Sequence, residues 1–456
     1  MNDWPTTDTP PTPLLADWLA RIDNTPRFVV FGRVTRVIGQ VVEATSLSVA
    51  VGEVCRITPE DHEPMLAQVV GFHEGGILLM PLGELQGIHP GAVVIPLARA
   101  LYAEAAEGLV GRVVDGLGHP IDGRPLPALR QRCPLNASPP SPLERAPIHR
   151  PLGTGVRTID SLLTLGLGQR IGIMAGSGVG KSVLMGMVAR HSTADVNVIA
   201  LVGERGREVR EFIERDLGPE GLRRSVVVAA TSDQAAVVRA TGALVATAIA
   251  EWFRDRGKNV LLMMDSITRV AMAWREIGLA VGEPPTTKGY PPSVFAALPR
   301  LLERAGTAAT GSITGLYTVL VEGDDFNEPV ADSARSILDG HIVLSRRLAS
   351  ARHFPAIDVL ESVSRVRDAV VDREQLEAAN TVLRLEAAYR SQEDLIAVGA
   401  YKPGADRMVD AAIALRPQLL GFLQQTAEDH SGLERTRSLL LQLAGQVRAR
   451  MGGPEA

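Results

Sequence analysis

The sequence predicts a multi-domain protein with a small N-terminal β-barrel, a central α/β domain with a mostly parallel sheet, and a C-terminal α-helical domain. Short β-rich runs, punctuated by glycine and proline, occupy residues 28–97 and indicate the barrel. From Gly153 to about Arg365, apolar strand-like runs alternate with helical stretches, which is typical of a parallel sheet covered by helices. Beyond Val366 the pattern is helical, with few strand signals.

Composition limits the classes of protein that the chain can be. It has 456 residues, of which 45% are hydrophobic and 22% charged, enough for two or three domains. The net charge of −5 excludes a global basic footprint, so we expect no nucleic-acid partner. Cys55 and Cys133 do not suggest a disulfide framework and are consistent with a reducing compartment.

The N-terminal residues and the lengths of the apolar runs indicate the cellular location of the protein. Residues 1–13 lack the basic and apolar regions of a signal peptide. No apolar run reaches the length that spans a bilayer, so we expect a cytoplasmic protein, with a peripheral membrane role left open. Leu14 to Ile22 predicts a short amphipathic helix, which either packs on its own domain or docks on a partner or a membrane surface.

These patterns give predicted boundaries. The segments are a tail with the amphipathic helix (1–26), the barrel (27–97), the α/β domain (98–365) and the helical domain (366–456). Predicted strands of the α/β domain are Arg170–Met174, Val196–Val202, Ser225–Ala229, Asn259–Met264, Ser312–Val321 and His341–Leu344. The clearest helix runs from Gln234 to Arg256 and is closed by Gly257.

A glycine-rich loop follows the first of these strands and precedes a helical run, the order of a phosphate-binding P-loop. The loop residues are Ala175, Gly176, Ser177, Gly178, Val179, Gly180, Lys181 and Ser182. Glycines let successive backbone N–H groups turn inward as an anion nest, and the helix N-terminus adds to the attraction. Lys181 is expected to reach the β- and γ-phosphates and Ser182 to hold Mg²⁺. The usual first glycine of the pattern is Ala175 here.

Two carboxylates follow apolar strands and therefore are expected at the carboxyl edge of the sheet. Asp265 ends the run Asn259–Asp265, a Walker B pattern that would hold Mg²⁺ through a water, although an aspartate there could also cap a helix. Glu204 lies in the run Val202–Val209 and could polarise the water that attacks the γ-phosphate. Glu208 is the second candidate for this base, and the alternative for the run is an ion-paired surface cluster.

A fourth run, Phe354 to Arg365, reads as a loop with an exposed aromatic and an arginine. With this run, the motifs of the chain resemble those of the α/β-type rotary ATPases, most closely the flagellar and type III secretion export ATPases. The other motifs that carry the resemblance are the P-loop, Gly203–Arg205, Met264–Arg269, Ala271–Ser293 and Val321–Pro329. The resemblance covers about residues 28–417 and implies a RecA-like central domain.

The resemblance implies a Mg²⁺-dependent, protein-exporting ATPase that forms a homohexameric ring with ATP between neighbouring subunits. Arg365 matches an arginine finger supplied in trans, and Phe354 matches an aromatic that stacks on adenine, usually a tyrosine. Implied partners are stator and central-stalk proteins, chaperone–substrate complexes and the export gate at the inner membrane, where the protein would be peripherally associated. Trp274 and Phe326 depart from common residues of the subfamily, outside the phosphate chemistry.

Several functions share this core. The first hypothesis is an export motor, with a flagellar system favoured over an injectisome by Asn327–Pro329 and Gln392–Gly404. Alternatives are a non-catalytic ring subunit, opposed by Glu204, and a nucleic-acid translocase, opposed by the acidic composition. A proton-driven synthase subunit is opposed by Ala175 and by the export-type segment 271–293. The sequence does not assign a role to loop 282–293 within that segment.

Overall fold

The computed structural model describes residues 18, 30–60, 62–321 and 328–452. The chain divides into two compact units after Ala100. Apart from Trp18, the predicted amphipathic helix lies outside the described residues, as does Phe326.

The first unit is a closed six-stranded barrel, as the sequence predicts. Around it the strands follow the order β1-β2-β5-β4-β3-β6, with every neighbouring pair antiparallel. Their bounds are β1 Gly32–Ile38, β2 Val41–Thr45, β3 Glu53–Thr58, β4 Met65–His73, β5 Gly76–Pro81 and β6 Val93–Ala100. The interior is filled by buried aliphatic side chains such as Val42, Ile57 and Leu79, so this barrel is a packed core and not a pore.

The second unit is built on a nine-stranded sheet with the order β19-β18-β12-β17-β15-β13-β14-β8, β16 pairing with β17. The seven strands from β18 to β8 are parallel, whereas β19 and β16 are antiparallel. The bounds are β8 Arg112–Asp115, β12 Arg170–Ala175, β13 Val196–Val202, β14 Ser225–Ala230, β15 Asn259–Asp265, β16 Gly306–Thr307, β17 Ser312–Leu320, β18 Gly340–Leu344 and β19 Ile357–Ser364. Short pairs lie outside this sheet: β7 Tyr102–Ala105 with β9 Gln131–Pro134, and β10 Pro151–Leu152 with β11 Leu165–Gly166.

Helices cover both faces of this sheet, which is why its central strands are apolar throughout. All seven residues of β13 are buried, and alternate residues enter two separate cores: Ile199 and Leu201 on one face, Val198 and Ala200 on the other. The helices are α1 Arg157–Leu162, α2 Lys181–His191, α3 Gly206–Glu211, α4 Gly218–Leu222, α5 Ala236–Arg254, α6 Ile267–Ala280, α7 Pro292–Leu302, α8 Pro329–Ile337, α9 Arg346–Ser350, α10 Arg367–Val370, α11 Arg373–Ala397, α12 Arg407–Leu423 and α13 Leu433–Met451.

The remaining helical segments are a π-helical turn at Phe212–Leu217 and 3₁₀ turns at Glu107–Leu109, Pro142–Glu144 and Thr287–Gly289. The helical C-terminal region is confirmed by α11, α12 and α13, of which α11 and α12 begin at aspartate caps.

Two details correct the sequence analysis. The run from Phe354 to Arg365 is not all loop, because Ile357–Ser364 forms edge strand β19; Asp358, Glu361 and two serines dilute its strand signal. In addition, α5 is long and apolar enough to cross a bilayer by length and composition, contrary to the expectation that no run is. Nearly all of its residues are buried in the fold, against β13, β14 and β15, so it is a core helix here.

Candidate functional site

The glycine-rich loop lies where the sequence predicts, between β12 and α2. Gly178 and Gly180 have φ values of 78° and 89°, a left-handed conformation that residues with a Cβ rarely adopt. Val179 is buried under the loop, whereas Ser177 is exposed. This backbone presents the anion-binding concavity expected of a P-loop, at the N-terminus of α2.

Ala175 departs from the family pattern without changing the turn. It is the last residue of β12, in register with Leu320 and Leu344, and it is 1% exposed within the core. Because it has strand geometry, the position does not require glycine, and the turn begins at Gly176.

Three predicted site residues converge at the loop. The Lys181 Nζ donates a hydrogen bond to Asp265 Oδ1 and lies 3.6 Å from Glu204 Oε1. The three side chains are only 13%, 5% and 14% exposed, in the order Lys181, Asp265, Glu204. The strand register explains why these side chains lie close together. Asp265 ends β15 next to Leu201 of β13, and Glu204 lies just beyond the end of β13.

The surroundings of Glu204 raise the pKa of its carboxyl group. Burial raises the pKa of this carboxyl, and the neighbouring charge of Asp265 raises it further, against the opposing effect of Lys181 and Arg269. A hydrogen bond with Glu208 also raises the pKa of Glu204. A carboxyl with a raised pKa is a stronger base when ionised, which suits proton transfer near neutral pH.

Glu208, the second candidate for the base, lies on a charged surface. It is on α3, with 38% of its side chain exposed, and its carboxylate lies 3.5 Å from Arg205 and 3.7 Å from Arg207. Further exposed pairs continue along the same segment, including Arg210 with Glu214. This arrangement is the ion-paired surface cluster that the sequence left as an alternative, and it favours Glu204 as the base.

A cavity of about 680 Å³ opens beside the loop, and Phe354 forms part of its wall. The Phe354 ring packs against Gly180, where an added Cβ would lie 3.5 Å from the ring. Val183, Leu184 and Met187 of α2 line the apolar side. An apolar slot with an aromatic edge next to a phosphate-binding loop has the size and chemistry for a purine base.

Another part of the wall comes from a segment that sequence reasoning missed. Gln424, Gln425, Thr426, Ala427 and Asp429, between α12 and α13, line the cavity. The Gln425 backbone N–H donates to the Phe354 carbonyl at 2.9 Å, and its side chain donates to Gly155 O at 2.8 Å. The C-terminal helices therefore contribute to the pocket, and no motif in the sequence marks these residues.

Arg365 lies away from this cluster. In the sheet, Ser364 pairs with Gly340 at the start of β18, whereas Ile357 pairs with Leu344 at its end, beside the loop. The antiparallel β19 thus carries the chain from Phe354 at the carboxyl edge to Arg365 at the amino edge, and its eight residues alone span roughly 25 Å at ~3.3 Å per residue. Arg365 is exposed, and its guanidinium donates to the Leu338 carbonyl at 3.3 Å.

The site offers few oxygen ligands for a metal. Ser182 follows Lys181 in the first turn of α2, and Asp265 faces Lys181. Within the described residues, no group of three or more histidine, cysteine, aspartate or glutamate side chains is arranged to hold a metal ion. One hydroxyl and one carboxylate fit Mg²⁺, which keeps several waters and is completed by substrate phosphates.

Family models match most of the chain in three consecutive parts. The β-barrel domain of the ATP synthase alpha/beta family matches residues 34–98, and its nucleotide-binding domain matches residues 155–364. The C-terminal domain of the type III secretion ATPase EscN matches residues 371–442.

Curated relatives and solved structures agree with these matches. A flagellum-specific ATP synthase of Bacillus subtilis is 54% identical, over 93% of this chain and 97% of its own length. A type 3 secretion system ATPase of Xanthomonas euvesicatoria is 52% identical, over 90% and 93%. The assembled ATPase EscN of enteropathogenic E. coli has a TM-score of 0.85 at 45% identity, covering 91% of this chain and all of that one. EscN in complex with its central stalk EscO gives a TM-score of 0.84.

Proposed function

The chain belongs to the ATP synthase alpha/beta family, and we propose that it hydrolyses ATP in a homohexameric ring to energise protein export. The observation that carries the catalytic part is the convergence of Lys181, Asp265 and Glu204 at a left-handed glycine loop. The relatives, named as a flagellum-specific ATP synthase and a type 3 secretion system ATPase, support the export part.

ATP binding begins with exchange of the Lys181 partners. In this structure the ammonium is paired with Asp265 and lies near Glu204, so its single positive charge offsets part of the charge of the two buried carboxylates. When phosphate enters the loop, the backbone N–H groups bind it and Lys181 turns toward the β- and γ-phosphates. Because Lys181 lowers the pKa of Glu204, its departure makes that carboxylate a stronger proton acceptor.

Glu204 then orients the attacking water and accepts its proton. The carboxylate lies at the sheet edge beside the loop, on the side where the γ-phosphate would project. Ser182 and Asp265 would hold Mg²⁺, which when bound neutralises charge on the phosphates. The Phe354 ring stacks on the adenine against Gly180; a tyrosine hydroxyl is not needed for stacking.

Arg365 acts on the ATP of a neighbouring copy. It lies at the sheet edge opposite its own loop, so it completes a site only across a subunit interface. Such an arginine finger stabilises the transferring phosphoryl group and contributes on the order of 10³–10⁵ in rate. The assembled form of EscN, a relative of similar length, supports a ring for this chain.

The export pathway and partners follow from the relatives. We favour flagellar protein export, in which ATP hydrolysis releases chaperones and unfolds export substrates; an injectisome role is the alternative. The complex of EscN with its central stalk supports a stalk partner here, alongside stator proteins, chaperone–substrate complexes and an export gate. The chain would then work in the cytoplasm at the inner membrane. A non-catalytic ring subunit is disfavoured by Glu204 beside the loop.

The test is steady-state ATP hydrolysis against protein concentration for the wild type and Glu204→Gln. We expect specific activity to rise with concentration, because assembly completes the site, and to fall by ~10²-fold or more in the variant. Arg210→Gln, which breaks an exposed ion pair with Glu214 and leaves Lys181, Asp265 and Glu204 in place, is the control and should retain wild-type activity. Equal turnover in Glu204→Gln and wild type would exclude Glu204 as the base.

A further inference from the structure

Thr318 places a hydroxyl group in a mostly apolar row of side chains that runs across the central sheet. Five neighbouring strands place Leu201, Asp265, Thr318, Ile173 and Ile342 side by side in this row. Every one of these side chains is buried, and Thr318 is 0% exposed. Of these five side chains, only Asp265 and Thr318 are polar.

The hydroxyl is directed at the carboxylate. Thr318 Oγ1 lies 2.7 Å from Asp265 Oδ1 and 3.3 Å from the Met264 carbonyl. A threonine hydroxyl has one proton, and the shorter contact to a charged acceptor is the stronger. Thr318 therefore donates to Asp265 from the neighbouring strand.

Packing alone gives no reason for a hydroxyl here. A valine has the shape of threonine and would suit the flanking Ile173 and the strand equally well. Burying a hydroxyl in apolar surroundings costs free energy unless it is hydrogen-bonded. The bond to Asp265 is thus the physical reason for this residue type at this position.

We propose that Thr318 is a positioning residue that holds the Asp265 carboxylate in the orientation required for Mg²⁺–ATP. The inference rests on the proposed function, in which Lys181 leaves Asp265 when phosphate binds. Thr318 is then the partner that stays, because it belongs to the rigid sheet and not to the loop. Thr268 reinforces this arrangement, since its hydroxyl accepts from the Leu320 N–H at 2.9 Å and ties the end of β17 to α6, which follows Asp265.

The test separates Mg²⁺-dependent binding from binding of free ATP. The Kd of ATP is measured by calorimetry, with Mg²⁺ and with EDTA, for wild type, Thr318→Val and Thr318→Ser. We expect Thr318→Val to raise the Kd about tenfold with Mg²⁺, as for loss of a hydrogen bond to a charged group, and to leave the Kd in EDTA unchanged. Thr318→Ser keeps the hydroxyl and should retain the wild-type Kd in both conditions.

Two results would overturn the proposal. One is wild-type Mg²⁺–ATP affinity in Thr318→Val; the other is an equal loss with Mg²⁺ and with EDTA, which would indicate a general structural role. If circular dichroism shows that Thr318→Val does not fold, Thr318→Ala, which lacks the hydroxyl without branching, takes its place under the same criteria.

A double-mutant cycle keeps this inference distinct from the proposed function. In an Asp265→Asn background the Mg²⁺-dependent gain in affinity should already be lost, and Thr318→Val should add nothing. If Asp265→Asn itself retains the gain, the metal role of Asp265 in the proposed function is wrong. If Asp265→Asn loses it while Thr318→Val does not, only the role of Thr318 is wrong.

Discussion

The two edges of the central sheet differ in whether their charged side chains are buried and paired or exposed to solvent. At the carboxyl edge, Lys181, Asp265 and Glu204 are buried together, and the ammonium pairs with the two carboxylates. At the amino edge, Arg365 is exposed; in the described part of the chain its guanidinium has a carbonyl partner and no carboxylate within ion-pairing distance. One edge thus gathers the groups proposed to bind phosphate, whereas the other presents a charge outward, and in the proposed ring a second copy would bring the two together.

The largest expected effect comes from removing the outward charge. Arg365→Ala should lower kcat of the assembled protein by ~10³-fold or more, because the finger acts on the transition state. ATP affinity of the unassembled chain should not change, since Arg365 lies at the edge opposite its own loop. Rate assays on rings and calorimetry on dilute protein measure the two quantities.

Arg373→Ala is the matched control for this prediction. Arg373 is also an exposed arginine, with an i,i+4 partner in Glu377 on α11, and its removal should leave kcat unchanged. Weaker ATP binding by dilute Arg365→Ala would mean that Arg365 serves its own site, and would contradict the comparison of the two edges.

An intermediate effect is expected at the base-binding wall of the carboxyl edge. Phe354→Ala should weaken ATP binding by about tenfold, since stacking on a base is worth ~1–3 kcal/mol, and change kcat much less. Phe354→Tyr should keep wild-type affinity because it retains the ring. Measured KM and kcat for both variants test this, and a fall in kcat alone would place Phe354 outside the base pocket.

The smallest effect concerns pH. Because burial raises the pKa of Glu204, the acid limb of kcat/KM should lie above the ordinary glutamate range. Activity requires the ionised carboxylate, so it should fall as pH decreases through that raised value. Glu208→Gln removes a contact that also raises the pKa of Glu204, so the limb should move slightly to lower pH while the plateau rate is kept.

A pH–rate profile from pH 5 to 9, recorded for the wild type and Glu208→Gln at one ionic strength, measures this shift. Loss of the plateau rate in Glu208→Gln would instead make Glu208 the base and assign Glu204 a supporting role.

The sequence predicted the elements whose signals are local. The P-loop has its glycines, lysine and serine within eight consecutive positions, and Asp265 and Glu204 each follow an apolar strand. Parallel strands end at a common edge of the sheet, so the sequence alone predicts that these residues lie close together. The family resemblance and the fold class were confirmed by the family models and the solved structures.

What the sequence could not predict depends on contacts between distant positions. The Gln424–Asp429 wall lines the same cavity as the loop although more than two hundred residues separate them, and it is held by hydrogen bonds to Phe354 and Gly155 that leave no motif. β19 was missed because an edge strand with one polar face carries a weak apolar signal. Thr318 looked like an ordinary strand threonine until the register placed it beside Asp265. The roles of all the predicted site residues, Arg365 and Phe354 as well as Lys181, Ser182, Asp265 and Glu204, and the domain boundaries stay predictions.

The most direct test of the two-edge account is complementation between variants. Lys181→Ala loses the carboxyl-edge site and Arg365→Ala loses the finger, so each should be inactive alone. Mixed rings, verified by co-purification of two tags, should regain activity, because the intact loop of one variant meets the intact arginine of the other. Activity in mixed rings no higher than in either variant alone would contradict a site completed by a neighbouring copy.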